Sequence, residues 1–299
     1  MSNIFSNIRS GRLLKYNSIE HPVVFQLGGS NPTKLAKATS ICSSLGYDEI
    51  NLNCGCPSPY AKEDSFGAVL MKNPNTVADI VKEMIEASNG VPVTVKCRLG
   101  VDDNDSYDEL KKFIETVSTA GIKHFIIHAR KALLKGLNHK ENRNIPPLKY
   151  DWVYNLAKDY PGVKFSLNGG LQSIEQMKEV MSEDKKLEGC MIGRLAYNDP
   201  WIMGKIDKEI YGQVGLDLSK REVILKYAEY IGKEDVCNSV AIKPLSFIFA
   251  GEKNSGVYRR FLADNVREVK YKNDPKLLIE DAIDIFSQFN ATAANRTHD

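Results

Sequence analysis

Short apolar runs alternate with helical repeats along the chain up to about residue 212. Short runs bounded by glycine or proline predict buried strands, and apolar residues three or four positions apart predict amphipathic helices. The predicted strands cover residues 23–27, 48–53, 92–96, 125–128, 164–167 and 189–192. A predicted helix follows each strand, and the first of them begins at Pro32 with Asn31 as its cap. This alternation predicts a parallel sheet covered by helices.

The number of repeating units leaves two α/β architectures open. Six strand–helix units can be counted, whereas a closed (β/α)8 barrel requires eight and an open doubly wound sheet can use six. From about residue 218 the pattern changes to helices alone, predicted over residues 223–231, 242–249, 257–263 and 277–289. We therefore expect an α/β domain over residues 1–215, a helical domain over residues 216–291 and a loose tail over residues 292–299.

Composition narrows the class of protein. The chain has 299 residues, a hydrophobic fraction of 42% and a formal charge of +2, so it can bury a large core but is not generally basic. We expect neither a signal peptide nor a membrane span, because no long apolar run is present. The six scattered cysteines suit reduced thiols, so a cytoplasmic location is expected, with an organelle as the alternative. Cys54 and Cys56 lack a second pair at zinc spacing, so no metal is expected.

Residues 49–58 form the most informative segment of the sequence. A strand-like alternation of apolar residues ends there at Gly55 and Pro57. Asn53 and Cys56 therefore lie where the strand gives way to its loop, which is the rim that carries the chemistry in barrels of alternating strands and helices. A cysteine at such a place can be a nucleophile, a proton donor or a buried apolar residue. The flanking glycine and proline in a predicted loop favour a functional role.

Polar or glycine residues follow the carboxyl end of every predicted strand. They are Gln26, Asn53, Cys56, Lys96, Arg98, His128, Arg130, Asn168, Gly169, Gly170, Gly193 and Arg194. In either parallel architecture these ends converge on one face. The glycine-containing loops after the last two strands lead into helices and suit phosphate binding through backbone N–H groups. A tight turn or a solvated side chain would explain any one position, but the whole set favours a phosphate-bearing cofactor.

Seven short motifs resemble those of the tRNA-dihydrouridine synthases, and most closely those of the subfamily A type. They lie at residues 24–29, 50–58, 93–98, 127–132, 140–148, 167–170 and 192–194, in the order of the family. Together they extend over about residues 20–212, and the helical part resembles the C-terminal domain of the family. The resemblance implies a TIM (β/α)8-type barrel followed by a small all-α domain.

The resemblance also implies an enzyme that reduces a specific uridine in the tRNA D-loop to 5,6-dihydrouridine. FMN would deliver hydride to C6 of the uracil, and NADPH or NADH would recharge the flavin. By motif, Cys56 is implied as the proton donor to C5, and Asn53 and Arg143 as the residues that hold the uracil. The implied flavin contacts are Gln26, Lys96, His128, Asn168, Gly169, Gly170, Gly193 and Arg194.

Binding of tRNA requires a local basic surface, because the net charge of the chain is small. The expected contacts are Lys131 and Lys140 in the long loop after the fourth strand and Arg259 and Arg260 in the helical domain. Ordinary solvated surface charge is the alternative for each of these residues. We expect a monomer.

The resemblance is incomplete at its N-terminal end. The first two barrel strands of the family, with their Ala-Pro-Met and Thr-Glu-Met-like segments, have no counterpart, so a barrel without its first two units is expected. We hypothesise that the chain is incomplete rather than a six-strand variant. Two other functions stay open: an inactive tRNA-binding module, and a related flavin barrel that reduces a small molecule.

Overall fold

The computed structural model describes residues 14–58, 61, 66–215 and 217–295. Residues 1–13 of the predicted α/β domain and residues 296–299 of the predicted tail lie outside this part. The described residues fall into two units. The first comprises the described residues up to Leu171 together with Glu175–Met191, and the second comprises Gln172–Ile174 together with the described residues from Ile192 onward.

Six parallel strands form a single sheet in the first unit. They are β1 (Val24–Leu27), β2 (Glu49–Cys54), β3 (Val93–Arg98), β4 (His124–His128), β5 (Lys164–Asn168) and β6 (Gly189–Met191). Each strand pairs with the next one along the chain, so the order in the sheet is the order in the sequence. A doubly wound sheet reverses its direction at a switch point, whereas a (β/α) barrel does not. The strand order therefore decides between the two architectures and confirms the predicted barrel class.

Helices connect the strands of this sheet as the sequence predicted. They are α1 (Pro32–Ser44), α2 (Pro74–Glu86), α3 (Tyr107–Thr119), α4 (Tyr150–Asp159) and α5 (Ile174–Val180). The predicted cap of α1 is confirmed, since the Asn31 side chain accepts a hydrogen bond from the Lys34 N–H at 2.9 Å. Ser106 and Glu109 form a capping box at the start of α3. These caps satisfy N–H groups that a helix leaves unpaired in its first turn.

The two faces of the sheet differ sharply in polarity. On β2, Ile50, Leu52 and Cys54 are fully buried, and alternate strand residues must point to the same face. Val95, Cys97, Phe125, Ile127, Phe165 and Leu167 continue this buried apolar face on the neighbouring strands. The residues between them are largely polar, as Asn51 and Thr94 illustrate. The apolar core therefore lies on the helix-covered side, and the opposite side of the sheet carries the polar side chains.

The second unit is helical. Its helices are α6 (Arg194–Asn198), α7 (Ile202–Glu209), α8 (Lys220–Ile231), α9 (Asn238–Ala241), α10 (Ser255–Asn265) and α11 (Pro275–Asn295). Tyr258 is completely buried in its core, and the rings of Phe249 and Phe286 pack with centroids 4.1 Å apart. None of the described helices is long and apolar enough to cross a membrane.

Three boundaries differ from the sequence-based expectation. The predicted boundary between residues 215 and 216 leaves α6 and α7 with the sheet, whereas the structure groups them with the helices that follow. The helix predicted over residues 242–249 is wrong: only the 3₁₀ turn Lys243–Leu245 forms there, since Pro244 lacks an N–H group and disfavours helix at the residue before it. Helix α11 continues to Asn295, into the predicted tail.

Candidate active site

The loop after β2 holds Cys56 through hydrogen bonds on both sides of the residue. The Asn53 side-chain oxygen accepts from the N–H groups of Gly55 and Cys56, each at 3.0 Å. The Cys56 carbonyl accepts from the Ala68 N–H at 2.8 Å. The Arg98 Nε donates to the Gly55 carbonyl at 3.2 Å. The backbone that carries the thiol is therefore held in place by a side chain of its own strand and by two neighbouring segments.

Three cysteines lie close to this loop, and their environments differ. Cys54 and Cys97 are fully buried on the apolar face. Burial raises the pKa of Cys97 to about 12 and that of Cys54 well above its usual range, because it penalises the thiolate. Cys56 is half-buried. A thiol that exchanges a proton needs access to its partner, so Cys56 is the member of this group that suits acid–base chemistry.

Lys96 near the end of β3 is half-buried as a residue, and its ammonium lies largely away from solvent. Its ammonium donates to the Asn168 side-chain oxygen at 3.2 Å, and Asn168 Nδ2 donates to the Met191 carbonyl at 2.8 Å. Burial, and then the nearby Arg98, lower the pKa of Lys96 to about 8. Its hydrogen-bond partner among the described residues is thus a neutral amide, while a negative charge on Cys56 would raise its pKa. An anionic group bound at this position would find a cation already in place.

In the loop after β5, the backbone of two glycines lies close to the side chains of neighbouring residues. Gly169 has a φ of +111°, and a Cβ at this position would lie 2.5 Å from Cδ2 of His128. Gly170 has a φ of +76°, and its Cβ would lie 2.5 Å from Cδ1 of Leu148. Both positions therefore require glycine for backbone conformation and for space. The loop packs on the buried His128 and brings β4 and β5 together at the same rim.

The other residues predicted to contact the flavin or the uracil lie on different elements of the structure. Gln26 on β1 joins the site, because its side-chain oxygen accepts from Asn53 Nδ2 at 2.9 Å. Arg143 is exposed on a 3₁₀ turn, and its charge lowers the pKa of Arg98, which places it within electrostatic reach of the Cys56 loop. Gly193 and Arg194 follow β6 directly along the chain and begin the helical unit.

The profile of the dihydrouridine synthase (Dus) family matches residues 5–284, which is most of the chain. The chain belongs to the dihydrouridine synthase family. The predicted family and the prediction of an enzyme are thereby confirmed, since the members of this family are oxidoreductases.

Several relatives are more than 40% identical to this chain over an alignment of 262 residues. The tRNA-dihydrouridine(20/20a) synthase of Shewanella oneidensis is 42% identical over 86% of this chain and 77% of its own length. The proteins of the same name from Salmonella typhimurium and Escherichia coli K12 are 44% and 43% identical over 86% of this chain, and over 78% and 75% of their own lengths. Among solved structures, 2,3-dimethylmalate lyase aligns with a TM-score of 0.42 at 13% identity over 72% of this chain and 71% of that chain.

Enzymes of the Dus family are in general flavin-dependent, and the residues of this family member fit such a cofactor. A buried ammonium without a carboxylate partner among the described residues suits a group that carries negative charge. Gly169 and Gly170 form a turn of positive φ in which the backbone lies close to His128 and Leu148, and the N–H groups of such a turn suit an anionic ligand. Among the described residues, no group of three or more His, Cys, Asp or Glu side chains could hold a metal ion.

The residues predicted to contact tRNA are differently engaged in the structure of this Dus protein. Lys131 is half-buried and forms an ion pair with Asp105 at 2.8 Å. Lys140 is exposed on the same long loop, and Arg259 and Arg260 are exposed on α10. Of these four residues, Lys131 therefore holds two loops of the rim together. The other three are exposed, although the Arg259 guanidinium lies over the Phe247 ring, 5.5 Å from its centroid.

Sequence reasoning gave no specific role to several polar residues that organise the site. Arg98 is only 3% exposed and ties the Cys56 loop to the long loop, since its Nη1 donates to the Asn142 carbonyl at 2.9 Å. Glu49, Asn51 and Thr94 form hydrogen bonds on the polar face of the sheet. The alternation of Glu49, Asn51 and Asn53 with apolar residues in the predicted strand could have revealed a polar inner face.

Proposed function

We propose that this chain reduces a uridine in the D-loop of tRNA to 5,6-dihydrouridine, with FMN as cofactor and NADPH or NADH as reductant. The observation that carries the proposal is Cys56: a half-buried thiol on a hydrogen-bonded loop, at the rim that also holds Lys96 and the glycine loop after β5. Relatives named as tRNA-dihydrouridine(20/20a) synthases support the choice of tRNA.

The strand ends supply the groups that would hold the flavin. Lys96 would neutralise negative charge on the ring system, and Gln26, His128 and Asn168 would offer hydrogen-bonding groups beside it. Gly169 and Gly170 would offer backbone N–H groups to the phosphate. For Gly193 and Arg194, a phosphate contact is what the motif resemblance implies, and a guanidinium suits that anion. When bound, the flavin supplies hydride to C6 of the uracil.

In the proposed mechanism, Cys56 donates the proton that C5 of the uracil receives. Loss of this proton would leave a negative charge on the Cys56 sulfur, within electrostatic reach of Lys96 and Arg98. These two cations would stabilise the thiolate, which lowers the free energy needed to transfer the proton. The reduced base therefore gains one hydride and one proton, and the thiol is reprotonated from solvent before the next turnover.

The uracil would be held at the same rim. The Asn53 side-chain oxygen accepts two hydrogen bonds from the Cys56 loop, and its amide nitrogen donates one to Gln26. One N–H therefore remains with which it could donate to a uracil carbonyl. Arg143, exposed and within electrostatic reach of Arg98, would donate to the other edge of the base.

The tRNA would be bound through its backbone while one uridine leaves its stack. Lys140, Arg259 and Arg260 are exposed and available for phosphate contacts, whereas Lys131 would first have to exchange its ion pair with Asp105. We propose a monomer that acts in the compartment that holds its tRNA, which in a bacterium is the cytoplasm.

The test is expression of the chain in a bacterial strain from which its own dihydrouridine synthases have been deleted. Dihydrouridine in the purified tRNA is measured by mass spectrometry, and flavin on the purified protein by visible absorbance. We expect dihydrouridine with the wild-type chain and with Cys237→Ala, since Cys237 is an exposed cysteine of the helical unit, but none above background with Cys56→Ala. A flavin-loaded wild-type chain that leaves tRNA unmodified would refute the proposal. Reduction of free uridine in place of tRNA would indicate the small-molecule enzyme.

A further inference from the structure

A chain of hydrogen bonds crosses the first three strands on the polar face of the sheet. The Thr94 hydroxyl donates to Glu49 Oε1 at 2.5 Å, and Asn51 Nδ2 donates to the Thr94 oxygen at 2.8 Å. Gln26 Nε2 donates to Asn51 Oδ1 at 2.8 Å, and Asn53 Nδ2 donates to Gln26 Oε1 at 2.9 Å. The five side chains thus form one continuous path that ends at the residue holding the Cys56 loop.

Strand register explains why these residues meet. Gln26 lies opposite Asn51, and Asn51 lies opposite Thr94, in adjacent parallel strands. Asn51 and Thr94 are each only 3% exposed. Water therefore has little access to replace a broken link in the middle of the path, and a lost hydrogen bond there leaves a buried polar group unsatisfied.

The path has a single direction, and both of its ends require the same one. An ionised Glu49 can only accept, so the Thr94 hydroxyl donates to it and leaves a lone pair for the Asn51 amide nitrogen. The oxygen of Asn51 must then face Gln26, and the oxygen of Gln26 must face Asn53. At the far end, the Asn53 oxygen faces the N–H groups of Gly55 and Cys56. If the Asn53 amide rotated by 180°, its NH₂ group would face those N–H groups, and the turn would lose its acceptor.

We propose that Glu49 is a positioning residue for Cys56, acting through Thr94, Asn51, Gln26 and Asn53. Its carboxylate favours the same orientation of the three amides that the Gly55 and Cys56 N–H groups require, and thereby helps to hold the loop that carries the thiol. The same orientation sets which atoms of Gln26 face the site. The catalytic consequence of this inference rests on the proposed function, whereas its structural part does not.

Thr94 offers a sharp test, because it can be changed without changing its shape. Thr94→Val removes the hydroxyl at the middle of the path, and Thr94→Ser restores it. Thr39→Val is the matched control: Thr39 is also fully buried, and its hydroxyl has no hydrogen-bond partner among the described residues. Each variant is measured for kcat and KM with tRNA, and for the rate at which iodoacetamide alkylates Cys56, followed by mass spectrometry.

We expect Thr94→Val to lower kcat about tenfold while KM for tRNA changes less than about twofold, because a misplaced catalytic group affects the chemical step. The alkylation rate of Cys56 should rise about threefold as the loop loosens and the thiol becomes more accessible. Thr94→Ser should restore both quantities toward wild-type values, and Thr39→Val should change neither. If Thr94→Val does not fold, Glu49→Gln tests the same path and should change both quantities in the same direction.

The inference is overturned if Thr94→Val behaves like Thr39→Val in both assays, or if Thr94→Ser restores neither quantity. Should Thr94→Val fail to fold, a Glu49→Gln variant equal to wild type would have the same meaning. A wild-type chain that forms no dihydrouridine would count against the proposed function alone. The alkylation rates would then still decide whether the path positions Cys56.

Discussion

Replacing Lys96 by methionine should stabilise the flavin-free protein, because the ammonium is buried without an anion beside it among the described residues. The pKa of Lys96 is lowered from 10.5 to about 8, first by burial and then by the charge of Arg98. Since one pKa unit corresponds to about 1.4 kcal/mol, charged Lys96 costs the fold about 3 kcal/mol. A methionine side chain has a similar length but cannot donate to Asn168, and loss of this hydrogen bond should lower the free energy of unfolding by about 1 kcal/mol. The expected gain for Lys96→Met at pH 7 is therefore about 2 kcal/mol.

The advantage of Lys96→Met should depend on pH in one direction. The folded-state pKa lies below the unfolded value, so the folded chain releases the proton first as the pH rises. The cost of the charge is complete below about pH 8 and disappears as the pH rises toward 10.5. The stability difference between Lys96→Met and wild type should therefore shrink by as much as about 3 kcal/mol over this interval.

Urea unfolding of both proteins at several pH values between 7 and 10 measures this difference, and groups common to both proteins cancel. Lys164→Met is the matched control, because the Lys164 side chain is 61% exposed at the opposite end of a strand and pairs with Glu188. This control should not become more stable than wild type at pH 7. A Lys96→Met variant that is less stable than wild type at pH 7, or a difference that stays constant up to pH 10, would refute the reasoning.

The same substitution should weaken flavin binding, which separates the two roles of Lys96. A bound anion would raise the pKa of Lys96 from about 8, so binding favours the protonated form. The Kd of wild-type protein for FMN should therefore rise as the pH increases above about 8, as fluorescence titration would measure. In Lys96→Met the Kd should be higher and should lack this rise. An FMN affinity of wild type that does not change between pH 7 and 9.5 would count against contact between Lys96 and the flavin.

Three further predictions follow from single contacts. Cys56→Ala should lower kcat by about 10² to 10⁴, the usual worth of a proton donor, while the visible absorbance shows that flavin is retained. Gly169→Ala should destabilise the protein by about 1–3 kcal/mol in urea unfolding and reduce flavin content, because its Cβ would collide with His128 at a positive φ. Arg98→Met should destabilise the protein by about 1 kcal/mol, because the Gly55 and Asn142 carbonyls lose two charged hydrogen bonds worth about 2 kcal/mol each. This loss exceeds the roughly 3 kcal/mol that burial of the Arg98 charge costs the fold, since burial lowers the pKa of Arg98 from 12.5 to about 10. Normal melting of this last variant would show that Arg98 does not hold the loops.

The elements of the barrel and the family were readable from the sequence because both depend on local patterns. Apolar runs and glycine boundaries gave all six strands, and Asn31 with Pro32 marked a helix start that the structure confirms. Seven motifs in the right order identified the family, which the match over residues 5–284 confirms. The helix predicted across Pro244 did not form, because proline lacks the backbone N–H group that a helix requires there, even though the apolar residues have helical spacing.

The tertiary structure decided the features that depend on contacts between residues of different strands. Strand order chose the barrel over the doubly wound sheet, and burial separated Cys56 from Cys54 and Cys97. The path from Glu49 to the Cys56 loop exists because strand register places distant polar residues side by side. Local sequence determines which face a side chain occupies, but hydrogen-bond partners and the dielectric environment are set by chain segments far away in sequence.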